Sequence, residues 1–212
     1  MLYAKVVLGL AVRGPFDYIV PPPLDKKIKE GSRVWVTLRN KKTLGYVVGL
    51  VRQTNIKNLK NVLEVIDDYP LLDKDMLSLT RKLSDYYCCS WGEAIETALP
   101  EGLRKRKKIP VPIVETIALK KNLKSEVTLL HDLDGQARWD VYLAKIKETL
   151  DNRSSVIILL PDINSVLKAK EKIERCLGIS VALLYRKQPK ELEEWLKIKE
   201  GKANIVAGTR SA

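Results

Sequence analysis

The feature that most constrains this chain is a change in hydrophobic period along its length. The first hundred residues carry short β-rich runs separated by turn residues: Leu2 to Leu8, Phe16 to Val20, Arg33 to Leu38, Leu44 to Val51 and Val62 to Ile66. Arg13-Gly14-Pro15 and Pro21-Pro22-Pro23 set tight connections and end pairing. From Asp73 the spacing becomes helical through Met76, Leu77, Leu79, Leu83, Tyr86 and Tyr87, and Trp91-Gly92 parts this helix from a second one ending at Leu99-Pro100. This half predicts a small β-rich, barrel-like domain with two helices.

After Glu126 strands and helices alternate. Strands are expected at Val127 to Leu130, Val156 to Leu160, Val181 to Leu184 and Ala203 to Ala207, with helices at Trp139 to Leu150, Ile163 to Cys176 and Pro189 to Lys199. Continuous apolar runs such as Val156 to Leu160 are what a parallel sheet covered on both faces requires. The fold class is therefore α+β followed by α/β. Leu103 to Lys108 form a charge run, and the Ile109-Pro110-Val111-Pro112 stretch behind it is not helical. We expect a domain at 1–108, a linker at 109–124 and a second domain at 125–212, which stops without a closing helix, as a truncated chain would.

Charge narrows the partner. Lys and Arg number 38 against 26 Asp and Glu, giving +12 and a pI near 9.5, a balance that favours a polyanion such as nucleic acid. Residues 1–109 carry 20 basic and 12 acidic side chains, so the first domain holds about two thirds of the excess. A solvated basic surface without a specific partner gives the same number. His131 is the only histidine, and adjacent Cys88 and Cys89, with Cys176, lack metal-ligand spacing, so no metal site is expected. No apolar stretch is long enough to span a membrane, and the chain reads as cytoplasmic.

Four ordered stretches carry a family resemblance. They are Phe16 to Pro21; Gly31 to Val36 with Leu44 to Val48; Leu59 to Asp67; and Leu83 to Tyr87 with Gly92-Glu93 and Ala98-Leu99-Pro100. Together they resemble the N-terminal domain of the primosomal protein N′ family of replication-restart DNA helicases, which captures the 3′ end of a leading strand at a stalled fork. Leu160-Pro161-Asp162-Ile163 and the run from Glu194-Trp195 through Gly201 to Ala212 resemble the family's first helicase lobe. The family's winged helix has no room between the two parts, and its zinc-binding cysteines would lie beyond residue 212.

The resemblance implies ATP and Mg²⁺ as the family's cofactors, but the expected phosphate loop departs from its pattern. Such a loop needs two glycines, a lysine and a Ser/Thr hydroxyl. Here Asp132 and Ala137 stand for the glycines, Arg138 for the lysine and Trp139 for the hydroxyl, while Gly135 reads as a plain turn. The lobe is thus read as an incomplete P-loop-NTPase-like fold, and neither cofactors nor ATP hydrolysis are expected of this chain.

The resemblance also implies a 3′-end pocket of Phe16, Asp17, Tyr18 and Lys60. A terminal 3′-OH donates a hydrogen bond whereas an esterified internal 3′ oxygen does not, and a carboxylate such as Asp17 accepts only and repels a further phosphate. One ring, of Phe16 or Tyr18, stacks on a base without regard to sequence, and Lys60 takes a phosphate. The plainer readings are a core Phe16, a turn-shaping Asp17 and a solvated Lys60. Arg33, Arg39, Arg104, Lys105, Arg106, Lys107 and Lys108 are the candidates for backbone contact, Arg39 standing where the family has glycine.

DNA forks, 3′ ends and single strands are the expected partners, with replication-restart or single-strand-binding proteins as further ones. Two rival readings are a fragment of an active 3′-to-5′ helicase and a non-catalytic protein-interaction module.

Overall fold

The computed structural model describes residues 1–104, 125–131 and 134–210. The chain divides into two compact units, Met1–Ile113 and Val114–Ala212, each with its own core. Lys105 to Lys108, the linker at 109–124, and Asp132 lie outside the described residues.

In the first unit the period-2 runs become strands β1 (Leu2–Leu8), β2 (Phe16–Val20), β3 (Arg33–Leu38), β4 (Lys41–Val51) and β5 (Glu64–Val65), in the antiparallel order β2-β1-β4-β3-β5. Consecutive Lys5 and Val6 of β1 pair with Gly49 and Val47 of β4, so Val48 is the extra residue of a bulge in β4, the device by which a strand bends. The run expected at Val62 to Ile66 is a strand for only two residues because it serves two edges. Lys60 and Val62 exchange backbone hydrogen bonds with Ile19 of β2 (3.0 and 2.9 Å), while Leu63 and Ile66 donate to Trp35 and Arg33 of β3 (2.8 and 3.0 Å). The run therefore bridges the outer strands β2 and β3 and closes the sheet into a barrel, leaving few unpaired edge groups.

The barrel is filled from its alternating inward positions. Ala4, Val6, Val34, Val36 and Val47 have no accessible surface, and each such aliphatic side chain larger than alanine contributes about 1.5–3 kcal/mol. A single helical turn, α1 (Pro22–Asp25), follows β2, where the three prolines were expected only to end pairing. Helix α2 (Lys74–Tyr86) starts where Asp73 accepts from the Met76 amide at 2.7 Å. Helix α3 (Trp91–Thr97) opens with a capping box in which Ser90 and Glu93 satisfy each other's amides. After Pro100 comes a short turn of helix, α4 (Glu101–Arg104).

The second unit holds a parallel sheet of β6 (Val156–Leu159), β7 (Val181–Leu184) and β8 (Ile205–Gly208) in the order β6-β8-β7. Its helices are α5 (Gly135–Asp151), α6 (Ile163–Leu177) and α7 (Glu191–Lys199). Asp162 caps the start of α6, and Gly178 in the left-handed region ends it.

Two expectations fail here. Val127 to Leu130 form no strand, and Val127 and Leu129 are 95% and 91% exposed. Strand β6 is also not covered on both faces, since Ile157 and Leu159 are 74% and 65% exposed. The two failures share a cause. Apolar alternation makes a strand only where there is a neighbour to pair with and a face to bury, and β6 pairs only with β8 among the named strands.

Candidate nucleic-acid interface

The start of β2, the end of β3 and the 56–60 loop line a cavity of about 240 Å³, and Phe16, Asp17, Tyr18, Thr37 and Lys60 are all in its wall. The four residues expected to form a pocket are thus brought together, although Lys60 lies more than forty positions from the other three. The closure of the barrel does this: the Ile19–Lys60 and Ile19–Val62 backbone bonds draw the 60–62 segment onto β2.

Asp17 is almost enclosed, its side chain 4% exposed. The antiparallel register sets Lys5 opposite it, and the Lys5 ammonium reaches Oδ1 at 3.1 Å. Thr54 Oγ1 donates to Oδ2 at 2.6 Å. Burial pushes this carboxyl's pKa up, but the Thr54 and Lys5 hydrogen bonds and the Lys5 charge outweigh burial, leaving it below its ordinary value. Asp17 is therefore an anion at neutral pH, with acceptor capacity beyond its two internal donors.

Burial distinguishes the two candidate rings. Phe16 and Tyr18, two residues apart, share the side of β2 that packs on the core. Tyr18 is 4% exposed and its hydroxyl donates to the Thr37 carbonyl at 3.3 Å, so its ring is structural and burial raises its pKa. Phe16 is half-buried, leaving it as the ring available to a base. Lys60 is exposed and donates to Asn40 Oδ1 at 3.3 Å. Asn40 and Arg39 are the two-residue turn between β3 and β4, with φ of 64° and 43°, which sets the exposed Arg39 beside the Lys60 rim.

Residues 5–100 match the family model described as the 3′DNA-binding domain (3′BD) of PriA. This is a PriA-type chain with an N-terminal 3′ DNA-binding domain. It is 30% identical over 207 residues to the replication restart protein PriA of Helicobacter pylori (strain ATCC 700392 / 26695), covering 90% of this chain and 32% of that protein. It is 26% identical over 180 residues to the replication restart protein PriA of Rickettsia conorii (77% and 27% covered), and 27% over 138 residues to that of Chlamydia pneumoniae (63% and 18%). The chain spans about a third or less of the length of these curated relatives.

The 3′ DNA-binding domain spends one of its expected DNA contacts internally. Arg33 has no accessible surface: its Nε and a terminal nitrogen donate to the two Asp67 oxygens at 2.7 Å each, and the other terminal nitrogen donates to the Leu103 carbonyl at 2.5 Å. Arg33 ties the barrel to α4 and does not reach a phosphate. Exposed Arg104 lies one residue beyond that anchor, at the edge of the described residues. Sequence reasoning missed Lys5, Thr54 and Thr37. Lys5 follows from the β1–β2 register once the hairpin is drawn, whereas Thr54 comes from a loop and carries no local signal.

In the second unit, Gly135, Ala137, Arg138 and Trp139 form the opening turns of α5 rather than a loop. The reason is Asp134, whose carboxylate accepts from the Gln136 amide at 2.7 Å and caps the helix one residue before Gly135. Trp139 packs edge-to-face with Tyr142, and the Lys172 ammonium lies 5.0 Å from its centroid.

Proposed function

We propose that this chain binds DNA at 3′ ends and in branched or forked structures, as in replication restart, without hydrolysing ATP. The observation carrying this reading is one cavity whose wall includes Phe16, Asp17 and Lys60, with the Asp17 carboxylate held ionised. A terminal 3′-OH donates to Asp17, the terminal base rests on the Phe16 ring, and Lys60 with Arg39 takes the preceding phosphates. Stacking of this kind contributes roughly 1–3 kcal/mol whatever the base. A 3′-phosphate or a continuing strand places negative charge against Asp17 and loses the donated proton.

The absence of ATP turnover is supported by the start of α5. An anion site at a helix start needs free amides, and here the Asp134 carboxylate already occupies one. Trp139 stands where a metal-binding hydroxyl is required.

The test is fluorescence anisotropy with matched oligonucleotides ending in 3′-OH or 3′-phosphate. The 3′-OH strand binds more tightly by about tenfold or more, the loss expected for an unmade charge-assisted hydrogen bond. Asp17→Ala abolishes that difference. Equal affinities for the two ends in the unmodified chain refute the reading.

A further inference from the structure

We propose that the 3′ DNA-binding domain has a second nucleotide site, for the other strand at a branch, on the opposite side of the β1–β2 loop from the 3′-end pocket. The proposal rests on the end-binding reading above. Pro15 and Phe16 belong to the wall of the first cavity, while Arg13 and Gly14, the adjacent residues of the same loop, belong to the wall of another of about 460 Å³. That volume lies within the range of small-molecule sites. The loop is packed against the pocket ring, since a Cβ on Gly14 would lie 3.4 Å from the Phe16 ring. Two nucleotides that part at a branch would thus be held on the two sides of a four-residue partition.

The chemistry of this second cavity suits a nucleotide. Its acids are committed: Glu93 accepts from the Ser90 amide at 3.0 Å in the α3 cap, and Asp85 pairs with Arg81 Nε at 3.4 Å. Arg13 is exposed and has no ion pair among the described residues, which leaves it for a phosphate. The Trp91 indole, half-buried, is fixed by its Nε1 donating to Thr80 Oγ1 at 3.1 Å, and the Arg81 guanidinium lies 5.2 Å from its centroid. A flat base extends such a cation–aromatic stack.

Cys88 and Cys89, both exposed, line the same cavity, and the third cysteine, Cys176, is exposed in the other unit. This supplies the test in the unmodified chain. Maleimide labelling, read residue by residue by mass spectrometry, is compared for the free chain, with a 3′-OH single strand, and with a fork bearing the same 3′ end. The fork slows labelling of Cys88 and Cys89 but not of Cys176, and the single strand slows none of them. In parallel, Arg13→Ala weakens fork binding by about tenfold, a lost charge-assisted contact, and leaves single-strand affinity unchanged.

Labelling of Cys88 and Cys89 at one rate with and without the fork overturns the proposal. So does an Arg13→Ala chain that loses fork and single-strand affinity equally, since that describes a general electrostatic grip. Cysteine shielding by the fork in a chain indifferent to 3′-OH against 3′-phosphate removes the end-binding reading and leaves the second-strand site standing.

Discussion

At the scale of single residues the charged groups divide into those spent on folding and those left for ligand. Arg33 and Asp67 are both buried and are joined by two 2.7 Å bonds. Such a pair adds little net stability, but breaking it strands a charge, at a cost of about 3–5 kcal/mol. Arg33→Ala is expected to destabilise the first unit by that amount in urea titration, and replacing both partners with apolar residues of similar size recovers most of it. Asp17 behaves differently because it is an acid whose pKa is lowered on folding. Its stabilising contribution is fully present above its unfolded value near 3.8 and is lost as pH falls through the lower folded value. The preference for 3′-OH over 3′-phosphate ends should therefore hold from neutral pH down to about 4, and fade below it. In stability measurements, Asp17→Asn flattens the acid limb of the first unit's curve.

At the scale of elements, two backbone positions show what the close packing requires. A Cβ on Gly92 would lie 1.7 Å from the Leu8 carbonyl, so α3 sits on the end of β1 only because that residue is glycine. Gly92→Ala forces the helix off the strand and costs up to about 3 kcal/mol, measurable as a lower Tm. Arg39 is the reverse case, a side-chain-bearing residue at φ 43° in a turn where glycine is unstrained. Arg39→Gly raises the first unit's stability by about 1 kcal/mol while weakening oligonucleotide binding, because the phosphate contact goes with the strain. Most elements here were legible from period and capping. The Leu2–Leu8, Phe16–Val20, Arg33–Leu38 and Val181–Leu184 strands have the bounds their residues imply, since each has a neighbour and a buried face. Val127 to Leu130 read as a strand on the same grounds and is not one, because pairing is a tertiary fact. The pocket was legible only through resemblance: no local pattern says that residue 60 meets residue 17, and barrel closure decides it. Arg33 was misassigned, and the choice between Phe16 and Tyr18 as the open ring was left unmade, because a sequence does not distinguish an aromatic or a guanidinium facing inward from one facing out.

At the scale of the whole molecule, the two units bury separate cores, one around Val6, Val34 and Val47 and one around Val166, Ile173 and Ile205. Elements that share no core melt as separate cooperative blocks. Calorimetry of the full chain should then resolve two transitions, and the first-unit substitutions assign them: Arg33→Ala and Gly92→Ala lower one and leave the other in place. A ligand that binds only the folded form raises the transition of the unit it touches, by about 2.7 kcal/mol at a hundred times its Kd. A 3′-OH oligonucleotide is therefore expected to lift only the transition that Arg33→Ala lowers, and ATP with Mg²⁺ to lift neither. An oligonucleotide that raised the other transition would move the main DNA contact into the α/β unit. A shift with ATP would mean that the start of α5 opens to accept phosphate in spite of its Asp134 cap.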